Sequence, residues 1–166
     1  MDKRAVLLSI KPEWCEKIIA GKKTIEIRKT APKLEAPFVC YMYMSKHRWA
    51  FDLLRSLGLN DLADRLVEAT GKVVAEFICN DVERYCECSK ESERFYLRED
   101  EWLSVYPINY APTCLTEKDF LEYGQGKNLY GLCVSALQVY EAPKPLESYG
   151  LVRAPMSWCY IKKEGK

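Results

Sequence analysis

Residues 6–29, VLLSIKPEWCEKIIAGKKTIEIRK, constrain the fold more tightly than any other stretch. Val6 to Ile10 is a short, β-branched apolar run of the kind that forms a buried strand. Pro12 suits the first turn of a helix, where a missing N–H costs nothing. Trp14, Cys15, Ile18 and Ile19 then fall on one helical face. Gly21 can take the left-handed conformation that ends a helix. From Lys23 to Arg28 the chain alternates as a strand. Ile25 and Ile27 face one way, and Thr24, Glu26 and Arg28 face the other. Lys23 sits where the turn meets the strand, so parity does not fix its direction.

This strand gathers Lys23, Glu26 and Arg28 within six positions. The cluster has two readings. It is a solvated strand face with a surface pair worth about 0–1 kcal/mol, or it is a polar pocket in which Glu26 and Arg28 hold each other charged while Lys23 reaches in from the turn. In a pocket the charges must be arranged together, because an unpaired buried charge costs several kcal/mol.

A length of 166 residues suits a single domain with a proper core. Lys and Arg number 25 against 24 Asp and Glu, so no overall field favours nucleic acid or membrane, though a local basic patch remains open. The early apolar run, Ala5 to Leu8, is too short for a signal peptide. No stretch approaches the ~20 apolar residues of a membrane-spanning helix. The expectation is a soluble, cytoplasmic protein. The eight cysteines are then expected as reduced thiols. Their spacing is poor for metal: there is no C-x-x-C, and His47 is the one histidine. Cys86 and Cys88 form the one close pair, with Cys79 and Cys114 as possible partners. Neither a metal nor a cofactor is expected.

Along the rest of the chain, Phe38 to Ser45 reads as a strand that is apolar on both faces, with Tyr41 and Tyr43 on one and Cys40, Met42 and Met44 on the other. Tyr41 either packs in the core or offers a stacking surface for a flat ring. His47 to Thr70 reads as two helical segments. Trp49, Ala50, Leu53, Leu54 and Leu57 form the first apolar face, and Gly58 ends it. Asn60 caps the second segment and Gly71 stops it. Lys72 to Val82 returns to strand. Arg84 to Leu103 is dense in charge and resists assignment, and Val105 to Thr113 is a proline-punctuated loop. Thr116 and Asp119 make a capping box for a short helix, Glu117 to Tyr123. Leu129 to Tyr140 is a long strand, broken by Pro143 and Pro145, and Ser157 to Lys162 is a final strand. Mixed strands without regular βαβ alternation point to an α+β fold with a curled sheet.

The pattern G-x-K-T-x-E-x-R at Gly21, Lys23, Thr24, Glu26 and Arg28, preceded by LLSIKPEWCEKI, resembles the signature of the ASCH domain. The later segments EKDFLEYGQGKNLYGLCVSALQVYEAPKPL and RAPMSWCYI resemble the final helix, strands and tail of prophage-type and bacterial ASCH proteins. The likeness spans about residues 6–46, 72–83 and 113–162. It implies a PUA-like curled β-barrel of mixed, mostly antiparallel strands with flanking helices. On that reading residues 1–166 form one domain, with a helical insertion at about 47–71 and a charged, loop-rich insertion at about 84–112.

The resemblance also implies a cleft lined by the G-x-K-x-x-E-x-R strand and a role in binding RNA or nucleotides. Small bacterial members deacetylate N4-acetylcytidine with a Lys, a Thr and a Glu. The Lys carries over to Lys23, but the position of the Thr holds Glu26. A carboxylate cannot replace a hydroxyl as acyl acceptor without changing mechanism, though it can act as general base on water. Thr24, about 7 Å away by strand rise, could stand in. The distal Glu corresponds to Glu117 or Glu122. Other members are described as metal-dependent ribonucleases, for which no clustered carboxylate motif appears here. Two functional expectations follow. In the first, an RNA or nucleotide binds with Lys11, Lys23 and Arg28 on phosphate, Glu26 on a base amino group, and Tyr41 or Trp158 stacking on a base. Trp158 reads first as core. In the second, an acylated nucleoside is hydrolysed by water that Lys23, its pKa lowered by Arg28, and Glu26 activate. No membrane or obligate protein partner is expected. A purely structural barrel is the third reading.

Overall fold

The computed structural model describes residues 4–46, 52, 55–58, 60–87, 94–97 and 106–162. The opening stretch folds as its sequence dictates. Strand β1 (Arg4–Ile10) leads into helix α1 (Pro12–Ile19), which begins on its proline and buries Pro12, Cys15 and Ile18. The chain turns through Gly21 at φ +70° into β2 (Ile25–Arg28). Further on lie β3 (Phe38–Met44), α2 (Asn60–Ala69) and β4 (Val73–Glu87). The short strands β5 (Arg94–Leu97) and β6 (Tyr106–Pro107) follow, then a 3₁₀ turn (Ala111–Thr113) and α3 (Glu117–Gly124). The chain ends with β7 (Leu129–Lys144), a second 3₁₀ turn (Leu146–Tyr149) and β8 (Trp158–Lys162).

One mixed sheet carries the fold, in the order β2-β7-β4-β3-β1-β8, with β5 added to β4 and β6 to β5. β1 and β3 run parallel, and every other described pairing is antiparallel. The sheet is open, and it curls because β4 and β7 meet through repeated register shifts. Each bulge bends its strand and increases the local twist. Ala136, at φ +45°, lies in one of them, between the Ile78–Ser135 and Glu76–Gln138 pairs.

β3 is covered on both faces, as its two-sided apolar sequence requires. Cys40, Met42 and Met44 join Val6, Leu8, Ile10, Ile18 and Phe77 in the main core. Tyr41 and Tyr43 join Ala5, Leu7, Val73, Leu146 and Tyr149 in a second core behind the sheet. A third cluster packs Ile25 and Ile27 against Tyr85, Phe120 and Leu129.

Several expected boundaries move. β4 continues through 84–87, and residues 94–97 and 106–107 pair as strands, because the charged segment extends the β4 ladder. β7 does not stop before Pro143. Four of its residues face only Val74 between the Ala75–Val139 and Val73–Lys144 pairs, so Pro143 has no regular ladder bond to donate. The second helical segment forms as α2, and Gly58 and Gly71 take φ +75° and +78° beside it. Trp49, Ala50, Leu53 and Leu54 of the first segment lie outside the described residues, as do His47, Cys88, Trp102 and Leu103. No helix among the described residues is long and apolar enough to cross a membrane.

Candidate functional site

β2 is one edge of the sheet, and the curl brings its polar face toward β1, near the other end. The space between them is a cleft of about 820 Å³. Lys23, Glu26 and Arg28 form its wall and are only 2%, 5% and 7% exposed. This excludes the solvated-face alternative. Period two explains the arrangement: with Ile25 and Ile27 committed to the third apolar cluster, Glu26 and Arg28 must face the cleft.

The three charges form one network. Glu26 Oε1 accepts from Arg28 Nη2 at 2.9 Å, and Glu26 Oε2 lies 3.4 Å from Lys23 Nζ. Lys23 Nζ also donates to the Thr113 carbonyl at 2.6 Å. Arg28 Nη2 donates to the Ser9 carbonyl at 3.0 Å. Burial lowers the Lys23 pKa below the ordinary lysine value, while Glu26 opposes the shift. The direction matches the sequence expectation, but the main cause is lost hydration. Arg28 adds only a minor push in the same direction.

Around this network the cleft is amphipathic. Trp14, Tyr43 and Tyr123 supply aromatic surface. Lys17 Nζ lies 4.4 Å from the centre of the Trp14 ring and Lys23 Nζ 5.2 Å from it, while Lys29 covers Tyr123 at 4.9 Å. Burial raises the pKa of both Tyr43 and Tyr123, so each stays a neutral phenol well into the alkaline range. At the rim, Lys11 and Lys46 are balanced by Glu13, Asp119 and Glu122.

The structure sorts the residues expected from the sequence. Lys11, Lys23, Glu26 and Arg28 line one cleft. Of the two distal carboxylates, Glu122 lines it and Glu117 does not. Thr24 is exposed and outside the lining: its amide donates to Pro112 O at 2.9 Å and its carbonyl accepts from Val134 N at 2.8 Å, which holds it on the chain leading into β2. Tyr41 is 3% exposed in the second core, its ring centre 4.8 Å from that of Tyr149. Trp158 is half-buried against the main core. Its Nε1 donates to Thr30, 3.2 Å from the carbonyl and 3.0 Å from Oγ1, and its ring meets Tyr160 edge-on. Neither aromatic lines the cleft. Trp14, Tyr43 and Tyr123 occupy the place expected of them, and periodicity alone gave no reason to select these three.

No cluster of His, Cys, Asp and Glu among the described residues is arranged to hold a metal ion. Cys15, Cys40, Cys79, Cys114, Cys133 and Cys159 are free thiols.

The ASCH domain family profile matches residues 8–114, well over half of the chain. The chain belongs to the ASCH domain family. The match takes in the end of β1, all of α1 and β2, and the Thr113 that receives Lys23, and so the wall of the cleft. The solved structure of the Zymomonas mobilis ASCH protein superposes with a TM-score of 0.62 at 14% identity, covering 98% of this chain and 90% of that one. A serine-to-alanine variant of the same protein gives a TM-score of 0.60 at 13% identity, covering 98% and 91%. A tyrosine-to-phenylalanine variant gives 0.60 at 15%, covering 98% and 92%. At such identities the likeness is one of fold. No curated protein matches.

Proposed function

We propose that this ASCH protein binds RNA, seating one nucleotide in the cleft beside Lys23, Glu26 and Arg28. The observation that carries the reading is the buried three-charge network on the wall of a concave site with aromatic surface. A cleft of about 820 Å³ falls in the size range of small-ligand pockets. Charged groups set the orientation of the occupant, and Trp14 and Tyr123 offer aromatic surface to a base. Lys11 and Lys46 at the rim meet the RNA backbone. Segments 47–71 and 84–112 are additions to the minimal barrel on this reading.

The test is affinity for short single-stranded RNA as a function of salt. On a log–log plot the binding constant should fall with a slope of ~0.7 per phosphate neutralised. Tyr123→Ala should weaken binding while the protein remains folded. A flat salt response or an indifferent Tyr123→Ala would overturn the reading.

One observation favours a second reading, hydrolysis of an acylated nucleoside: Lys23 is a buried amine with a lowered pKa, as a catalytic lysine requires. Glu26 would act as base toward water only by releasing a cation, since both its oxygens face one. Release of acetate from N4-acetylcytidine, abolished by Lys23→Ala, would establish this activity. No turnover by the intact protein would exclude it for that substrate.

A further inference from the structure

The charges at the cleft rim are segregated. Asp119 and Glu122 line it from α3 and Glu13 from α1, whereas Lys11 and Lys46 stand at one end of the sheet. Topology sets that end. β3 runs parallel to β1 and β8 antiparallel to it, so the residues after β1, the residues after β3 and the loop leading into β8 lie side by side. Backbone bonds tie them together: Ser45 N donates to Ile10 O at 2.8 Å, and Ser9 N to Ser157 O at 2.9 Å. Residues 9–11, 43–46 and 150–157 carry Lys11, Lys46 and Arg153 but no Asp or Glu. All three cations are exposed, and none is ion-paired with a described residue. Elsewhere around the cleft, Lys17, Lys29 and Lys118 already face Trp14, Tyr123 and Glu122.

This ledge is also partly apolar and held in shape. Met156 and Val152 are 103% and 93% exposed, so neither adds burial to the fold. Yet the backbone on both sides of Met156 is fixed to β1, because Ser9 Oγ donates to Pro155 O at 2.6 Å while Ser9 N holds Ser157 O. The Lys46 stem crosses Gly71 so closely that a Cβ there would lie 2.5 Å from its Cε. A surface positioned in advance loses little freedom on binding. Unpaired cations beside exposed apolar side chains match a nucleic-acid strand, in which charged phosphates alternate with sugars and bases.

We propose that this end of the sheet is a track for single-stranded RNA, in which Lys11, Lys46 and Arg153 neutralise backbone phosphates and Met156 packs against the nucleotide next to the one in the cleft. The track keeps the phosphates away from Asp119 and Glu122. It rests on the RNA-binding reading and adds Arg153 and the loop 150–157 to the interface.

The experiment is fluorescence anisotropy of a short labelled single-stranded RNA with the full chain, over a series of salt concentrations. Lys11→Gln, Lys46→Gln and Arg153→Gln should each lower the log–log salt slope by about 0.7, and the triple variant by about 2. Met156→Ala should weaken binding by about fivefold at an unchanged slope, through lost apolar contact. Lys162→Gln, exposed at the far end of β8, should leave slope and affinity as they are. A triple variant with the wild-type slope, or Met156→Ala with the wild-type affinity, overturns the track and leaves the RNA reading standing. Polyglutamate binding as tightly as RNA, with the same loss in the triple variant, also overturns it, because the ledge would then recognise negative charge alone. No RNA binding by the intact chain overturns the track and the RNA reading together.

Discussion

Arg28 on β2 donates to the backbone carbonyl of Ser9 on β1 at 3.0 Å, joining two strands that are not neighbours in the sheet. The charged network therefore does two things. It lines the cleft, and it clasps the curled sheet where backbone pairing is missing. Its stability depends on Glu26, because removing one partner strands buried charge. Glu26→Gln should cost about 3–5 kcal/mol in urea unfolding. Glu122→Gln provides the contrast. It breaks an exposed contact to Lys118 at 3.8 Å and should cost well under 1 kcal/mol. Equal costs for the two variants would contradict the clasp.

The lowered Lys23 pKa gives a pH signature. Unfolded lysine titrates near 10.5, and the folded group loses its proton at lower pH. Between the two values the unfolded chain binds more protons, so this group's contribution makes the folded state more stable as pH rises. Below the folded pKa the contribution is constant. Comparing wild type with Lys23→Met cancels the tyrosines, which titrate in the same region. The stability difference should move toward wild type as pH climbs to 10.5. A difference that stays constant or moves the other way would show that the amine is not held in a desolvated site.

Gly131 permits the packing behind β2. It stands opposite Ile27, and a Cβ there would lie 2.6 Å from Ile25 Cγ2 and 2.9 Å from Tyr85 Cε2. Neither neighbour has room to move, as both are buried in the third cluster. Gly131→Ala should destabilise by about 1–3 kcal/mol through overpacking, read as a lower urea midpoint. The double variant Gly131→Ala with Ile25→Val should not recover it, because valine keeps the Cγ2 that makes the contact and Tyr85 still blocks the site. An unchanged midpoint in the single variant would refute this packing.

Much of this was legible in the sequence because it rests on local rules. Pro12, Gly21 and the alternation of Ile25 and Ile27 with Glu26 and Arg28 specify β1-α1-β2 without reference to the rest of the chain. The capping box at Thr116 and Asp119 is just as local. Thr113 was beyond reach: its carbonyl meets Lys23 across 90 positions, and a backbone acceptor leaves no mark in the side-chain code. Tyr41 and Tyr43 show a second limit. They share a strand face by parity, but only Tyr43 lies far enough along β3 to line the cleft. Where a residue sits along its strand depends on the curl of the sheet, and the curl comes from the β4–β7 bulges.

The capping box on α3 presents Asp119 at the cleft rim. Thr116 Oγ1 accepts from Asp119 N at 3.1 Å, and the Asp119 carboxylate accepts from Thr116 N at 3.0 Å and from its hydroxyl at 2.6 Å. These bonds hold the Asp119 pKa below the ordinary aspartate value of 3.8. Thr116→Ala should cost about 0.5–2 kcal/mol at neutral pH. A depressed carboxylate contributes stability above its unfolded pKa and loses it as pH falls through the folded one. The gap between wild type and variant should therefore narrow below pH 3.8. A gap that widens on acidification would contradict the assignment.

Trp158 and Tyr123 should separate core from cleft. Trp158 packs against the main core, so Trp158→Ala should lower the melting temperature and cost about 2–4 kcal/mol, near the lower end of the range for aromatic truncation because the ring is only half-buried. Its effect on RNA affinity, measured below the variant's own melting transition, should be small. Tyr123 is 37% exposed on α3 with its ring in the cleft lining. Tyr123→Ala should therefore cost less stability than Trp158→Ala, about 1–2 kcal/mol, since the ring is only partly withdrawn from water, while removing one stacking surface worth about 1–3 kcal/mol of binding. The informative quantity is the crossed pattern: one variant moves stability and the other moves affinity. If Trp158→Ala weakened binding as much as Tyr123→Ala with its fold intact, the occupant would have to reach past the β2 wall to the β8 edge, and the cleft boundary drawn by Lys23, Glu26 and Arg28 would be wrong.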